Sequence, residues 1–231
     1  MPFLNVDIFD DLPLRLKKNT NPYLSKLKDA QSLNSLPILF GSDLKNIRGQ
    51  WRTTFEKDGV QPLKKLILEI GVHTGKVIRS LAMDHLDLGF IGMDITLKRV
   101  VMSAQRLKEA NATNGRIVLG NAKFLSKIFA EKELDGLILF FPDPWKKNSQ
   151  AHNRLVNREF CCDLRNVLTR NGFFWLKTDS LSYFEEAKTL LESMGFQMSP
   201  SAPFPSPYES VFEKRFRTAN SPIYEGIWVN L

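Results

Sequence analysis

Leu66-Ile67-Leu68-Glu69-Ile70-Gly71-Val72-His73-Thr74-Gly75 is the stretch on which the fold turns. Residues 66–70 form a short apolar run broken by a single acid and ended by glycine, the pattern of a buried strand. Thr74 to Met83 follows with Val77, Ile78, Leu81 and Ala82 at helical spacing. A strand that runs through a glycine turn into an amphipathic helix is the first half of a crossover unit.

The alternation continues downstream. Residues 89–94 read as a second strand, and Leu97 to Ala110 as a helix with Val100, Val101, Ala104 and Leu107 on one face. A strand over 116–119 and a helix over 122–130 come next. A strand over 137–141 stops at Pro142, and Arg158 to Leu168 is helical. Residues 172–177 make a fifth strand and 182–194 another helix, and an extended piece starts at Gly195-Phe196. Residues 200–207, with Pro at 200, 203, 205 and 207, predict a loop over the surface, and 223–229 a last strand. Strands alternating with helices, and strands apolar along nearly their whole length, predict an α/β, Rossmann-like fold: a mostly parallel sheet covered on both faces.

Upstream the periodicity fades. Asn19, Asn21-Pro22 and Pro37 interrupt residues 1 to about 45, which read as an irregular arm with one short helix. The division expected is an arm over 1–50, irregular and partly helical, and one domain over 51–231. The amino-terminal residues carry early acid and no basic-then-apolar leader pattern, and no apolar run approaches the roughly 20 residues of a membrane span, so the expectation is a cytoplasmic chain with no membrane partner. Cys161 and Cys162 are neighbours, unsuited to pair with each other and too few for a zinc site; they read as buried thiols on a helix, and no metal site is expected. A net charge of +7 favours polyanionic partners only when a site supports the idea.

Ligands in such sheets sit at the carboxyl ends of the strands. Glu69-Ile70-Gly71, Asp94, Asn121 and Asp143 all fall there. Gly71 and Gly75 let the backbone turn tightly, and Asp94 is 25 residues after Glu69, close to the spacing of an acid that accepts from ribose hydroxyls. Two glycines fall short of a dinucleotide fingerprint, and Glu69 would sit badly beside a diphosphate. A cationic methionine-bearing nucleoside suits it better, which favours S-adenosylmethionine. Plainer readings stand beside these: a solvated carboxylate for Glu69, and helix caps for Asp94 and Asn121.

Asp143 lies between Pro142 and Pro144, directly after an apolar strand and before Trp145. Prolines limit the conformations the loop loses on ordering, and an indole offers a plate on which a base stacks. The plainer alternative is a structural turn with Trp145 packed inward.

Phe141-Pro142-Asp143-Pro144-Trp145-Lys146-Lys147, with Arg154-Leu155-Val156, Glu159-Phe160, Gly172 and Thr178-Asp179, resembles the bacterial tRNA (guanine-N7)-methyltransferase family, from about Trp51 onward. The resemblance implies S-adenosylmethionine as cofactor, tRNA as partner, and a monomer or homodimer. It implies that Glu69, Gly71, Asp94, Asn121 and Asp143 bind the cofactor and that Asp143 is catalytic. Lys147, Arg154 and Asp179 would meet the substrate, as would Ser210, Phe212 and Glu213 in a stretch similar to the family's Thr-x-Phe-Glu. His73 stands where the family has a glycine, and residues 148–153 are less basic than its corresponding stretch. A methyltransferase of another base, whose loop reads Asp/Asn-Pro-Pro-aromatic, and a non-catalytic RNA-binding relative are the competing readings.

Overall fold

The apolar runs assemble side by side into one sheet. The computed structural model describes residues 22–32, 35–145, 147–204 and 208–231. Helix α1 (Pro22–Ser32) precedes a two-residue strand β1 (Ile38–Leu39). Helices α2 (Ser42–Ile47) and α3 (Trp51–Lys57) lead into β2 (Lys65–Ile70). The crossover units follow as α4 (Lys76–Asp84), β3 (Leu88–Asp94), α5 (Leu97–Glu109) and β4 (Gly115–Leu119). Next come α6 (Leu125–Ile128), β5 (Leu134–Phe140), α7 (Arg158–Val167), β6 (Leu168–Thr178) and α8 (Leu181–Ser193). Strand β7 (Phe196–Met198), α9 (Val211–Thr218) and β8 (Tyr224–Asn230) complete the described elements.

The strand order is β1-β4-β3-β2-β5-β6-β8-β7. Neighbours from β1 to β6 pair in parallel, and β8 runs antiparallel to both β6 and β7. The order reverses between β2 and β5, so the switch point opens beyond Ile70 and Phe140. Alternate side chains serve opposite faces. Leu66, Leu68 and Ile70 join Trp51, Phe55 and Phe160 on one side, while Ile67 joins Ile78, Leu81 and Val100 on the other. Helices α4 and α5 approach closely at Gly75, where an added Cβ would come within 2.8 Å of Ser103.

Several expectations need correction. The described part of the arm is built into the domain: Leu24 and Leu27 are buried, and β1 adds a parallel edge to β4. The helix expected over 122–130 is a 3-10 turn (Ala122–Phe124) followed by the single turn of α6. Strand β6 begins at Leu168, earlier than expected, with a register shift in its pairing to β5 near Leu134 and Gly136. The proline-rich loop does not simply lie over the surface, since Phe204 and Tyr208 are buried beside Phe90 and Trp175. Cys161 is buried but Cys162 is exposed, because adjacent helical residues point about 100° apart and only one meets the core. Residues 1–21 of the arm lie outside the described residues, as do 205–207 of the loop.

Candidate active site

At the switch point the strand ends surround a cleft of about 370 Å3, a size usual for small-ligand sites. Strand β2 runs into Gly71, whose φ of 78° is the left-handed region that glycine enters at no steric cost. A Cβ there would meet nothing within 4 Å, so the backbone presents an open flank to the cleft. Glu69, one turn of the pleat earlier, is only 5% exposed, and its Oε2 has no hydrogen-bond partner. Burial is the main force pushing its carboxyl up to about 8; the charge of Asp94 adds to that and a hydrogen bond from the Ile78 backbone opposes it.

Asp94 ends β3 and is buried. Its Oδ1 accepts from the Thr96 amide at 2.8 Å, its Oδ2 from the His73 amide at 3.4 Å, and Arg99 lies 3.7 Å away. The carboxylate therefore both shapes the start of α5 and faces the cleft. Asn121 likewise has two aspects: its side chain accepts from the Lys123 amide as a cap, and the residue lines the cleft. Just after Asp94 the side chain of Ile95 is 70% exposed, an apolar surface at the cleft that was not singled out from the sequence.

The loop after β5 supplies the opposite wall. Phe141 and Trp145 both adopt left-handed φ values, 53° and 44°, and bracket Pro142-Asp143-Pro144. Such values in aromatic residues are strained and tend to mark functional loops. Phe141 is held by its amide donating to the Lys177 carbonyl at 2.7 Å and by its ring packing 5.3 Å from Phe216. Asp143 is exposed and lines the cleft with Trp145, which is 36% exposed and not packed into the core.

The other expected residues separate into groups. Phe212, at the start of α9, lines the cleft, and Ser210 caps α9 by accepting from the Glu213 amide at 3.0 Å. Lys147 is exposed just past the loop, and Asp179 follows β6; neither lines the cleft. Lys146 lies outside the described residues. Arg154 and Glu213 are turned inward, against the expectation of direct RNA contact. Arg154 is 5% exposed; its Nε donates to the Pro144 carbonyl at 3.0 Å, and its guanidinium pairs with Glu186 and lies over the Tyr183 ring. Glu213 is 1% exposed and engaged by Lys177 and Arg217. These two hold the loop and α9 in place. Lys177 and Arg99 were missed in the sequence; a lysine closing an apolar strand was the available signal for the first.

The donor set fits S-adenosylmethionine. The buried Asp94 carboxylate at the cleft is an acceptor suited to ribose hydroxyls, the unpartnered Glu69 Oε2 in the small cavity alongside is free to bond a polar group, and the cleft is walled by apolar Ile95, Leu139 and Phe141. Gly71, Asp94 and Asn121 line the cleft and could hold it, with Glu69 in the small cavity that shares Gly71 with the cleft.

Fold and cleft together define a Rossmann-like methyltransferase. Residues 63–225 match the family described as putative methyltransferase. The chain is 36% identical over 152 residues to the tRNA (guanine-N(7)-)-methyltransferase of Geobacillus kaustophilus, covering 66% of this chain and 68% of the relative. Over a longer span, 217 residues, it is 27% identical to the enzyme of that name from Lactiplantibacillus plantarum, covering 91% and 96%. The chain belongs to the tRNA (guanine-N7)-methyltransferase family. Its fold is similar to that of a SAM dependent methyltransferase from Aquifex aeolicus, with a TM-score of 0.53 at 11% identity over 95% of this chain and 98% of that one. The aminoglycoside resistance methyltransferase NpmB1 gives the same score at 14% identity, covering 80% and 98%.

Proposed function

We propose that the protein transfers the methyl group of S-adenosylmethionine to N7 of a guanine in tRNA, giving 7-methylguanosine. The observation that carries this reading is the convergence of Asp94, Asn121 and Asp143 on one cleft, with Asp143 fixed between two prolines beside an accessible indole and Glu69 in a small cavity that shares Gly71, His73 and Phe212 with the cleft.

When bound, the cofactor supplies an electrophilic methyl group on a sulfonium. Guanine N7 carries a lone pair in the ring plane, so its attack needs no base to remove a proton. The protein's part is alignment and charge. Glu69 and Asp94 hold the cofactor's polar groups, and the Gly71 turn lets the backbone come close. Trp145 offers a face for the guanine, which must leave its stack at a cost of a few kcal/mol. As the N7–methyl bond forms, the purine gains positive charge, and Asp143 stabilises it. Lys147 meets phosphate, and Asp179 and Ser210 border the RNA side. Arg154 and Glu213 act from beneath, through the Pro144 carbonyl and through Lys177. The cleft is built from within residues 51–231, and the enzyme works as monomer or homodimer. Among the described residues no helix is long and apolar enough to cross a membrane, and a tRNA substrate places the enzyme in the cytoplasm.

The test is transfer of labelled methyl groups from S-adenosylmethionine to unmodified tRNA, followed by nucleoside analysis. Label in 7-methylguanosine is the expected result; label in 6-methyladenosine, or none, overturns the assignment.

A further inference from the structure

The cofactor turn and the C-terminal helix touch at a residue the fold does not require. His73 follows Gly71 with a left-handed φ of 50°, a conformation that His, Asn and Asp enter more readily than other side chains. Its ring lies 4.8 Å from that of Phe212, tilted by 59°. Its Nδ1 is buried and has no hydrogen-bond partner. Glu69, whose Oε2 also lacks a partner, shares with His73 a small cavity of about 20 Å3 that Gly71, Phe140 and Phe212 also border, and His73, Gly71 and Phe212 line the main cleft as well. Two buried polar atoms without partners are stable only when something bonds them. Burial and the positive charges of Arg99 and Arg106 push the imidazole's pKa down against the pull of Asp94, which keeps the ring neutral and able to donate or accept. Just beyond, Lys76 pairs with Glu209 at 3.5 Å, a second tie between the same two segments. A glycine in place of His73 could make neither the ring contact nor a side-chain hydrogen bond.

We propose that His73 is a positioning residue that couples cofactor occupancy to the seating of α9: its imidazole hydrogen-bonds a polar atom of the nucleoside cofactor while its ring supports Phe212. The inference rests on the methyltransferase reading, in which Ser210 and Phe212 border the RNA. Cofactor and tRNA binding are then linked, and such linkage is reciprocal.

The experiment uses S-adenosylhomocysteine as probe, with affinity read by calorimetry and the amides of residues 211–218 read by hydrogen exchange. In the full-length wild-type protein the probe slows exchange across α9. In His73→Gly, which is relaxed at this φ and so keeps its fold, binding weakens about fivefold or more and the probe no longer protects α9. His73→Asn keeps a polar side chain that tolerates left-handed φ; it regains affinity but not protection. Phe212→Leu binds the probe but loses the protection. Unchanged α9 protection in His73→Gly overturns the coupling, and affinity in His73→Asn as low as in His73→Gly overturns the hydrogen bond. Wild-type protein that fails to bind the probe overturns the methyltransferase reading and this inference together, whereas probe binding indifferent to His73 overturns the inference alone.

Discussion

The ammonium of Lys177 lies 3.0 Å from the carboxylate of Glu213, and both side chains are almost wholly removed from solvent. Lys177 also lies over the rings of Phe140 and Trp175, at 4.8 and 5.1 Å. One partner lies near the end of β6 and the other belongs to α9, so the pair fastens the C-terminal helix to the sheet beside the cleft. Removing one member leaves a buried charge with only a more exposed partner, Glu225 at 3.9 Å for Lys177 or Arg217 at 2.6 Å for Glu213, at a cost of up to about 3–5 kcal/mol. Glu213→Ala should lower the urea midpoint accordingly. Lys177→Met combined with Glu213→Leu should regain most of that loss, since an apolar pair of similar volume removes both desolvation penalties. A Glu213→Ala midpoint equal to wild type would show that the pair does not hold α9.

Asp143 is exposed at the cleft and pinned by its neighbouring prolines, so its removal touches chemistry more than folding. Asp143→Ala should lower kcat by about 100-fold, the scale seen when one preorganised electrostatic contact is lost, with an unchanged thermal midpoint. Steady-state methylation of unmodified tRNA reads the first quantity and differential scanning calorimetry the second. Near-normal kcat would remove Asp143 from the reaction.

Glu69 makes stability depend on pH in a stated direction. Its carboxyl is raised from 4.5 to about 8 in the folded protein, chiefly by burial. Between those values the folded protein holds a proton that the unfolded chain has released, so unfolding becomes easier as pH rises. The contribution is fully present below pH 4.5 and lost as pH passes through about 8. Glu69→Gln keeps the shape and cannot ionise. Its stability relative to wild type should therefore climb from pH 5 to 8 in urea titrations, by an amount set by how far burial raises the pKa. A constant difference across that range would mean that the carboxyl titrates normally.

Lys147 and Arg154 are separated by salt dependence. Lys147 is exposed, so Lys147→Ala should weaken tRNA binding and reduce the salt slope by about 1. Arg154 is buried and donates to the Pro144 carbonyl, so Arg154→Ala should leave the slope alone and lower kcat through a loosened loop. Filter binding across a salt series checks both, and a reduced slope in Arg154→Ala would return that residue to the RNA surface.

Much of the fold was legible because each buried strand writes its own apolar run. Leu66–Ile70, Gly89–Asp94 and Gly172–Lys177 fall within observed strands and end where the cleft begins. Strand β1 was not legible: two residues, Ile38 and Leu39, have no period, and their extended form comes from pairing with Ile117 and Val118. Helix α9 carried a signal that went unread, Ser210 followed three residues later by Glu213, the spacing of a capping box. The acids at the strand ends were visible as candidates because topology alone brings strand ends together. The inward turn of Arg154 and Glu213 was hidden, since their partners Glu186 and Lys177 are 32 and 36 residues away in sequence.

The placement of β8 sets a timetable for folding. Among the described residues strand β7 pairs only with β8, and β8 lies between it and β6. On the ribosome, Phe196–Met198 emerges well before Tyr224–Asn230 and waits without a partner, while the open edge of β6 is exposed. Such an unpaired edge invites pairing with other chains until the missing strand arrives. Shortening the chain before Tyr224 should therefore yield an aggregating protein even though every cleft residue has already been synthesised.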